Sequence, residues 1–299
     1  NTNYSVMKTI LVLTDFSARA QYAAEYAMQL AVPLKADILL CHALEISDQY
    51  PVADFQVLRN QTLKRLQEIG RHLQELPGEE QQGITRPSIS YITDVNGLTD
   101  LAEKVISNHS VDITVIGAHR STGLSRFLFG SHTNDILDSI NSPVLLIPEN
   151  TTFLPLRHIA YATDLSFNNT KVISFLLKLA KPFASKISVN HISLLDLPPT
   201  THEKATEDSI LSQVKTSGIE MAYETLREDT VEDGLLHLSS SGNVDILSLV
   251  HKRYDFIDRI FHSSVSKHLA HSTVIPLLVM PHSFSLNKKD LQVGSDQSM

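Results

Sequence analysis

A chain of 299 residues is about twice the commonest domain size, so two domains are expected. Hydrophobic residues make up 42% and charged residues 19%, with 11 Gly and 12 Pro, a balance that excludes disordered and fibrous classes and fits buried cores. Lys and Arg number 25 against 33 Asp and Glu, and the net charge of -8 argues against nucleic acid or an acidic membrane as partner.

The single Cys41 excludes an intramolecular disulfide. No apolar run approaches the ~20 residues of a membrane span, and no signal-like segment opens the chain, so a cytoplasmic setting is expected. Met7 stands just before the first apolar run, and the six residues ahead of it read as an extension outside the fold.

In chain order, Ile10 to Leu13 is a continuous apolar run, as expected of a strand buried on both faces of a parallel sheet. Ser17 suits a helix N-cap, and Ala20, Ala23, Ala24, Ala27, Leu30 and Ala31 then share a face small enough to pack closely on a sheet. Asp37 to Cys41 predicts a second strand. Leu58, Leu66, Ile69, Leu73 and Leu76 mark a long amphipathic helix ended by Pro77-Gly78. Ser88 to Ile92 predicts a third strand, Leu98 to Ile106 a helix and Ile113 to Ile116 a fourth strand. An irregular loop to Phe129 follows, then a helix capped by Ser131 and running to about Ile140, then a strand from Val144 to Ile147. The alternation βαβαβαβαβ is that of a doubly wound α/β domain, here a five-stranded parallel sheet with flanking helices.

The same unit recurs. Ile10 to Ser17 matches Ile159 to Ser166, and Ile38 to His42 matches Ile187 to His191, all at an offset of 149. Val111 to Pro148 matches Val244 to Pro281 at an offset of 133. The second copy is therefore shorter in the middle, where the first has Tyr50 to Gln82. The boundary falls in the polar stretch from Glu149 to Pro155, giving tandem domains at 1-151 and 152-299.

In such sheets ligands bind at the carboxyl ends of the strands, where strand order reverses. Thr14 and Asp15 follow the first strand, and Gly117, His119, Arg120, Gly130, Ser131 and His132 belong to the loop after the fourth. The loop closes on a helix start, whose unpaired N–H groups and dipole favour an anion, and Gly130 carries no side chain to block one. Phosphate is the natural occupant.

Gly117, two residues, Arg120, nine residues, Gly130 and Ser131 resemble the glycine-spaced loop of nucleotide-binding universal stress proteins, in tandem form over nearly the whole chain. The Asp after the first strand, Val-Asp-Ile before the loop, Gly-Leu-Ser-Arg within it and Ser-Pro-Val-Leu-Leu-Ile after it share the resemblance. It implies ATP binding, with Mg2+ carried on the phosphates. Asp15 would contact adenine or ribose, Ala43 would flank the base, and Gly117, Gly130, Ser131 and His132 would hold ribose and phosphates. Arg120 stands where the family has its second glycine. Its stem either fills the space by which backbone approaches a phosphate, or its guanidinium reaches back as a bidentate donor.

The second copy has Val250, Arg253, Ser263 and Ser264 at the four matching positions, so its glycines are gone, while Asp164 and Ser166 remain. A structural role is expected for it. The last strands, Val144 to Ile147 and Leu277 to Met280, are candidates to pair as in a fused dimer of the family, and further homodimerisation and protein partners are compatible with this.

His262, His268 and His271 lie close together but lack the companions of a zinc site and read as surface histidines. His42 and His191 recur after the second strand of each copy and read as structural. Neither a Gly-Lys-Ser/Thr loop nor a Gly-x-Ser-x-Gly elbow is present, which argues for a binder rather than a hydrolase. The expected function is adenine-nucleotide sensing through the first domain in a stress response. The alternative is a nucleotide-free interaction scaffold built as a fused pseudo-dimer.

Overall fold

The computed structural model describes residues 7–44, 52–76, 86–95, 97–120, 127–128, 131–163, 165, 170–194, 201–216, 218–250 and 275–281. The chain divides between Leu154 and Pro155 into two compact units.

The first unit contains β1 (Thr9–Leu13), α1 (Ala18–Leu34), β2 (Asp37–Ala43), α2 (Val52–Glu75), β3 (Ile89–Asp94), α3 (Leu98–Asn108), β4 (Ile113–Arg120), β5 (Phe127–Leu128), α4 (Ser131–Ser139) and β6 (Val144–Pro148). Its parallel strands run in the order β3-β2-β1-β4-β6, so the direction of strand addition reverses between β1 and β4. Ile10 through Leu13 are buried, as are all five residues of β6, because helices cover both faces of a sheet whose crossovers are helical. The alanine face predicted for α1 is buried at Ala20, Ala23, Ala24, Ala27 and Ala31.

Several expectations shift. The helix expected from Leu58 starts at Val52, and the one expected to end at Ile106 runs on to Asn108. Ser131 is the first residue of α4 rather than a residue ahead of it. The fourth strand continues past Ile116 to Arg120, and β5 pairs antiparallel with its end, His119 against Leu128 and Arg120 against Phe127. Part of the stretch expected to be irregular is thus a short hairpin. Its backbone polar groups find partners in one another, which alternating side-chain pattern alone does not reveal.

The second unit contains β7 (His158–Thr163), α5 (Thr170–Ala180), β8 (Lys186–Leu194), α6 (Thr201–Thr216), β9 (Met221–Glu228), α7 (Val231–Ser240), β10 (Ile246–Val250) and β11 (Leu277–Met280). Its strands run β11-β10-β7-β8-β9, all parallel. Backbone details repeat between the units at the offsets of the sequence alignment. Phe16 and Leu165 both take a left-handed φ, near +63° and +59°, and so do Lys35 and Ala184 after α1 and α5. The amides of Lys8 and Thr9 donate to one oxygen of Asp112, and those of Arg157 and His158 donate to one oxygen of Asp245. In each case a carboxylate ties the start of one strand to the start of its neighbour. The shorter helix α6, 16 residues where α2 has 24, accounts for part of the drop in sequence offset between the two windows.

The two cores differ clearly at β8. Where β2 has Leu39 and Cys41, β8 has Ser188 and Asn190, both buried. His158 accepts a hydrogen bond from Ser188 Oγ at 2.7 Å on Nε2 and donates from Nδ1 to the Asn243 carbonyl at 2.8 Å. Burial holds the His158 imidazole below its ordinary range, with Lys186 adding to this, against the Asn243 hydrogen bond and the charges of Asp245 and Glu224. The unfolded chain takes up a proton near pH ~6.5 that the folded protein resists, so His158 contributes stability above that pH and loses it as pH falls. Urea unfolding followed by circular dichroism is expected to give a lower midpoint at pH 5.5 than at pH 7.5, with a smaller difference in His158→Gln.

Candidate functional site

The sequence after β1 makes a tight turn. Thr14 is buried; its N–H donates to the Cys41 carbonyl at 2.9 Å, and its Oγ1 accepts from the Phe16 amide at 3.0 Å. That bond holds Phe16 in the left-handed region, which costs a bulky residue about 1–3 kcal/mol. Contacts around the ring offset the strain. His42 packs against it with centroids 4.2 Å apart, and the Arg65 guanidinium of α2 lies 3.9 Å over its face. His42 in turn donates from Nδ1 to the Thr14 carbonyl at 2.7 Å, so this histidine braces the turn. In the second unit the Leu165 amide meets Thr163 Oγ1 at 3.1 Å, and His191 Nδ1 meets the Thr163 carbonyl at 3.3 Å. The turn occurs in both units, whereas the aromatic stack and its arginine are found on the turn of the first unit.

Asp15 points its carboxylate back along the turn. Oδ1 accepts from the Ser17 amide at 2.9 Å and from Ser17 Oγ, and Oδ2 accepts from Arg19 Nη2 at 2.5 Å. Partial burial raises its pKa, but the Ser17 hydrogen bonds and the Arg19 charge outweigh this and bring it below the usual carboxylate range. Ser17 Oγ also accepts from the Ala20 amide at 3.3 Å, which is the N-cap predicted for α1. Arg19 was not legible as a site residue, although its position four residues after Asp15 at a helix start is a recognisable pairing distance.

Ala43 ends β2 and is buried, paired in register with Asp94. Burial of Cys41, two residues earlier, pushes its thiol up to about 12, so it stays protonated and inert at neutral pH. Gly117 lies on β4 in register with Ile147. Thr14, Asp15, Ala43 and Gly117 therefore lie toward the carboxyl ends of the neighbouring strands β2, β1 and β4, at the point where strand order reverses. The backbones of His119 and Arg120 lie in β4, and those of Ser131 and His132 open α4. The side chains of these four residues, and all of Gly130, are outside the described residues.

Gly117 has a packing reason to be glycine. A Cβ there would come within 2.5 Å of the Arg19 carbonyl oxygen, 2.7 Å of its carbon and 2.9 Å of the Ala20 nitrogen. These are backbone atoms of the first turn of α1, and they cannot move without moving the helix. Arg120, by contrast, sits in a paired, extended ladder, a conformation that does not require glycine. Among the described residues no group of three His, Cys, Asp or Glu is placed to hold a metal ion, and no helix is long and apolar enough to cross a membrane. The triplet of His262, His268 and His271 lies outside the described residues. Gly117→Ala is expected to lower stability by about 1–3 kcal/mol with no ligand present, the cost of overpacking, as measured by urea unfolding.

Comparison with known proteins supports the α/β fold. Residues 7–148 match the model of the universal stress protein family. Universal stress protein MJ0577 of Methanocaldococcus jannaschii is 25% identical over 156 residues, which are 48% of this chain and 96% of that protein. A universal stress protein structure from Archaeoglobus fulgidus superposes with a TM-score of 0.68 at 13% identity, covering 93% of this chain and 98% of its own. The cytoplasmic domain of a prokaryotic cation chloride cotransporter also superposes, with a TM-score of 0.57 at 12% identity over 95% of this chain and 99% of its own. At such identities the superpositions speak for the fold, which hosts more than one role. The family match rests on the first unit: residues 7–148 are a universal stress protein domain.

Proposed function

We propose that the first unit binds an adenine nucleotide, ATP in particular, and that the second is a tandem copy of the same domain whose loop has lost its glycines. What supports this reading above all is the convergence of Thr14, Asp15, Ala43 and Gly117 at the switch point between β1 and β4. The β4–β5 hairpin pairs the chain with the end of β4, and α4 follows β5 from Ser131, so that in this reading the first amides of α4 serve an anion. In this reading Asp15 meets ribose or base and Ala43 flanks the base. His119, Arg120, Gly130, Ser131 and His132 hold the ribose and phosphates, with Mg2+ carried by the phosphates. Binding rather than hydrolysis is the output, because neither a phosphate-loop lysine nor a poised general base belongs to the set. A cytoplasmic stress-sensing role follows from the family reading.

A second reading, a nucleotide-free scaffold for protein partners, draws on the engagement of both Asp15 oxygens and on the packing role of Gly117. Isothermal titration of the full chain with ATP and Mg2+ separates the two. Saturable heat is expected, and its absence sinks the nucleotide reading. Gly130→Val is expected to weaken binding by at least about tenfold, or ~1.4 kcal/mol, if the loop holds the phosphates. Unchanged affinity would put the nucleotide elsewhere.

A further inference from the structure

Arg19 is fixed at two points of the cleft's frame. Its carbonyl group lies directly over Gly117 of β4, and its guanidinium holds Asp15 after β1. It therefore spans the two strand ends at which the order of the sheet reverses. A carboxylate offers roughly four acceptor positions, two on each oxygen. Ser17 fills both on Oδ1 with its amide and hydroxyl, and Arg19 takes one on Oδ2. One acceptor position remains, on a side chain that is 45% exposed. Asp15 can thus take one hydrogen bond from a ligand hydroxyl or amine while its charge is already matched by a cation.

The pairing matters for an anionic ligand. In a chain of net charge -8, an unpaired carboxylate at the cleft would repel phosphate, and partial burial reduces the screening by water. The second copy is informative here. The residue 149 positions after Arg19 is Asn168, so the copy whose loop lacks glycines also lacks this arginine, although it retains Asp164.

We propose that Arg19 is the positioning and specificity residue of the cleft, holding Asp15 in a charge-compensated state that selects a nucleoside polyphosphate over the neutral nucleoside. This rests on the nucleotide reading above and adds a prediction about ligand charge that the reading alone does not make. An ordinary structural ion pair at a helix start would affect all ligands alike.

The test is titration calorimetry of the full chain with adenosine, AMP and ATP at fixed Mg2+, using the unaltered protein, Arg19→Gln, Arg19→Lys and the double variant Asp15→Asn with Arg19→Gln. Arg19→Gln is expected to lose about tenfold or more in ATP affinity, an intermediate amount for AMP, and less than about twofold for adenosine. Arg19→Lys keeps most of the ATP affinity because it keeps the charge. The double variant regains ATP binding because the repelling carboxylate has gone. Equal losses for adenosine and ATP would reduce Arg19 to a structural role, and undiminished ATP binding in Arg19→Gln would overturn the proposal outright. Failure of the unaltered protein to bind any of the three compounds would instead remove the nucleotide reading, and this inference with it.

Discussion

The first turn of α1 rests on the backbone of Gly117, with no room between them for a side chain. That contact fixes how α1 enters the sheet, and the entry of α1 fixes the rest of the cleft. Ser17 caps the helix, Asp15 folds back onto Ser17 and Arg19, and Phe16 is turned into the left-handed region between them. A helix seated farther out would release the backbone of Arg19 from β4. The strain at Phe16 is tolerated because the Thr14 hydroxyl, the His42 ring and the Arg65 guanidinium all bear on that one residue.

The two units keep the same scaffold and differ in how they fill it. The left-handed turn, the second left-handed residue after the first helix, and the aspartate that clasps two strand starts occur in both. These are backbone requirements of a doubly wound sheet and survive extensive change in side chains. What has diverged is the interior of β8, where Ser188 and Asn190 replace Leu39 and Cys41. Ser188 is satisfied by His158, and Asn190 donates to Ser188 at 2.9 Å, but Asn190 Oδ1 is buried without a partner. Burying such a group costs stability relative to the apolar pair in β2, so the second unit has exchanged some packing energy for a polar network.

Much of the fold was legible because its signals are local. Continuous apolar runs marked Ile10 to Leu13 and Val144 to Ile147 as strands covered on both faces, and the alanine face of α1 showed that the helix sits close to the sheet. The internal match aligned Ile10 to Ser17 with Ile159 to Ser166, and the left-handed residues Phe16 and Leu165 fall at equivalent positions within it. The hairpin at Arg120 was not legible, because it depends on pairing between two short segments rather than on a pattern within one. Nor was the reason for Gly117. As a letter in a spaced motif it looked like an allowance for a ligand, whereas its neighbours in space are Arg19 and Ala20, almost a hundred positions away in the chain.

The sequence by itself determined the α/β class and the alternation of elements, and it singled out the residues proposed above for the site. These follow from periodicity, turn chemistry and spacing, all of which act over a few residues. Tertiary structure decided which of those residues are already engaged. Asp15 is paired with Arg19, His42 braces the Thr14 turn, Cys41 is sealed in the core, and Gly117 makes way for a helix. A side chain's partners are set by what the sheet brings beside it, and parallel strands join neighbours only through long crossovers, so that information lies outside any local stretch of the chain.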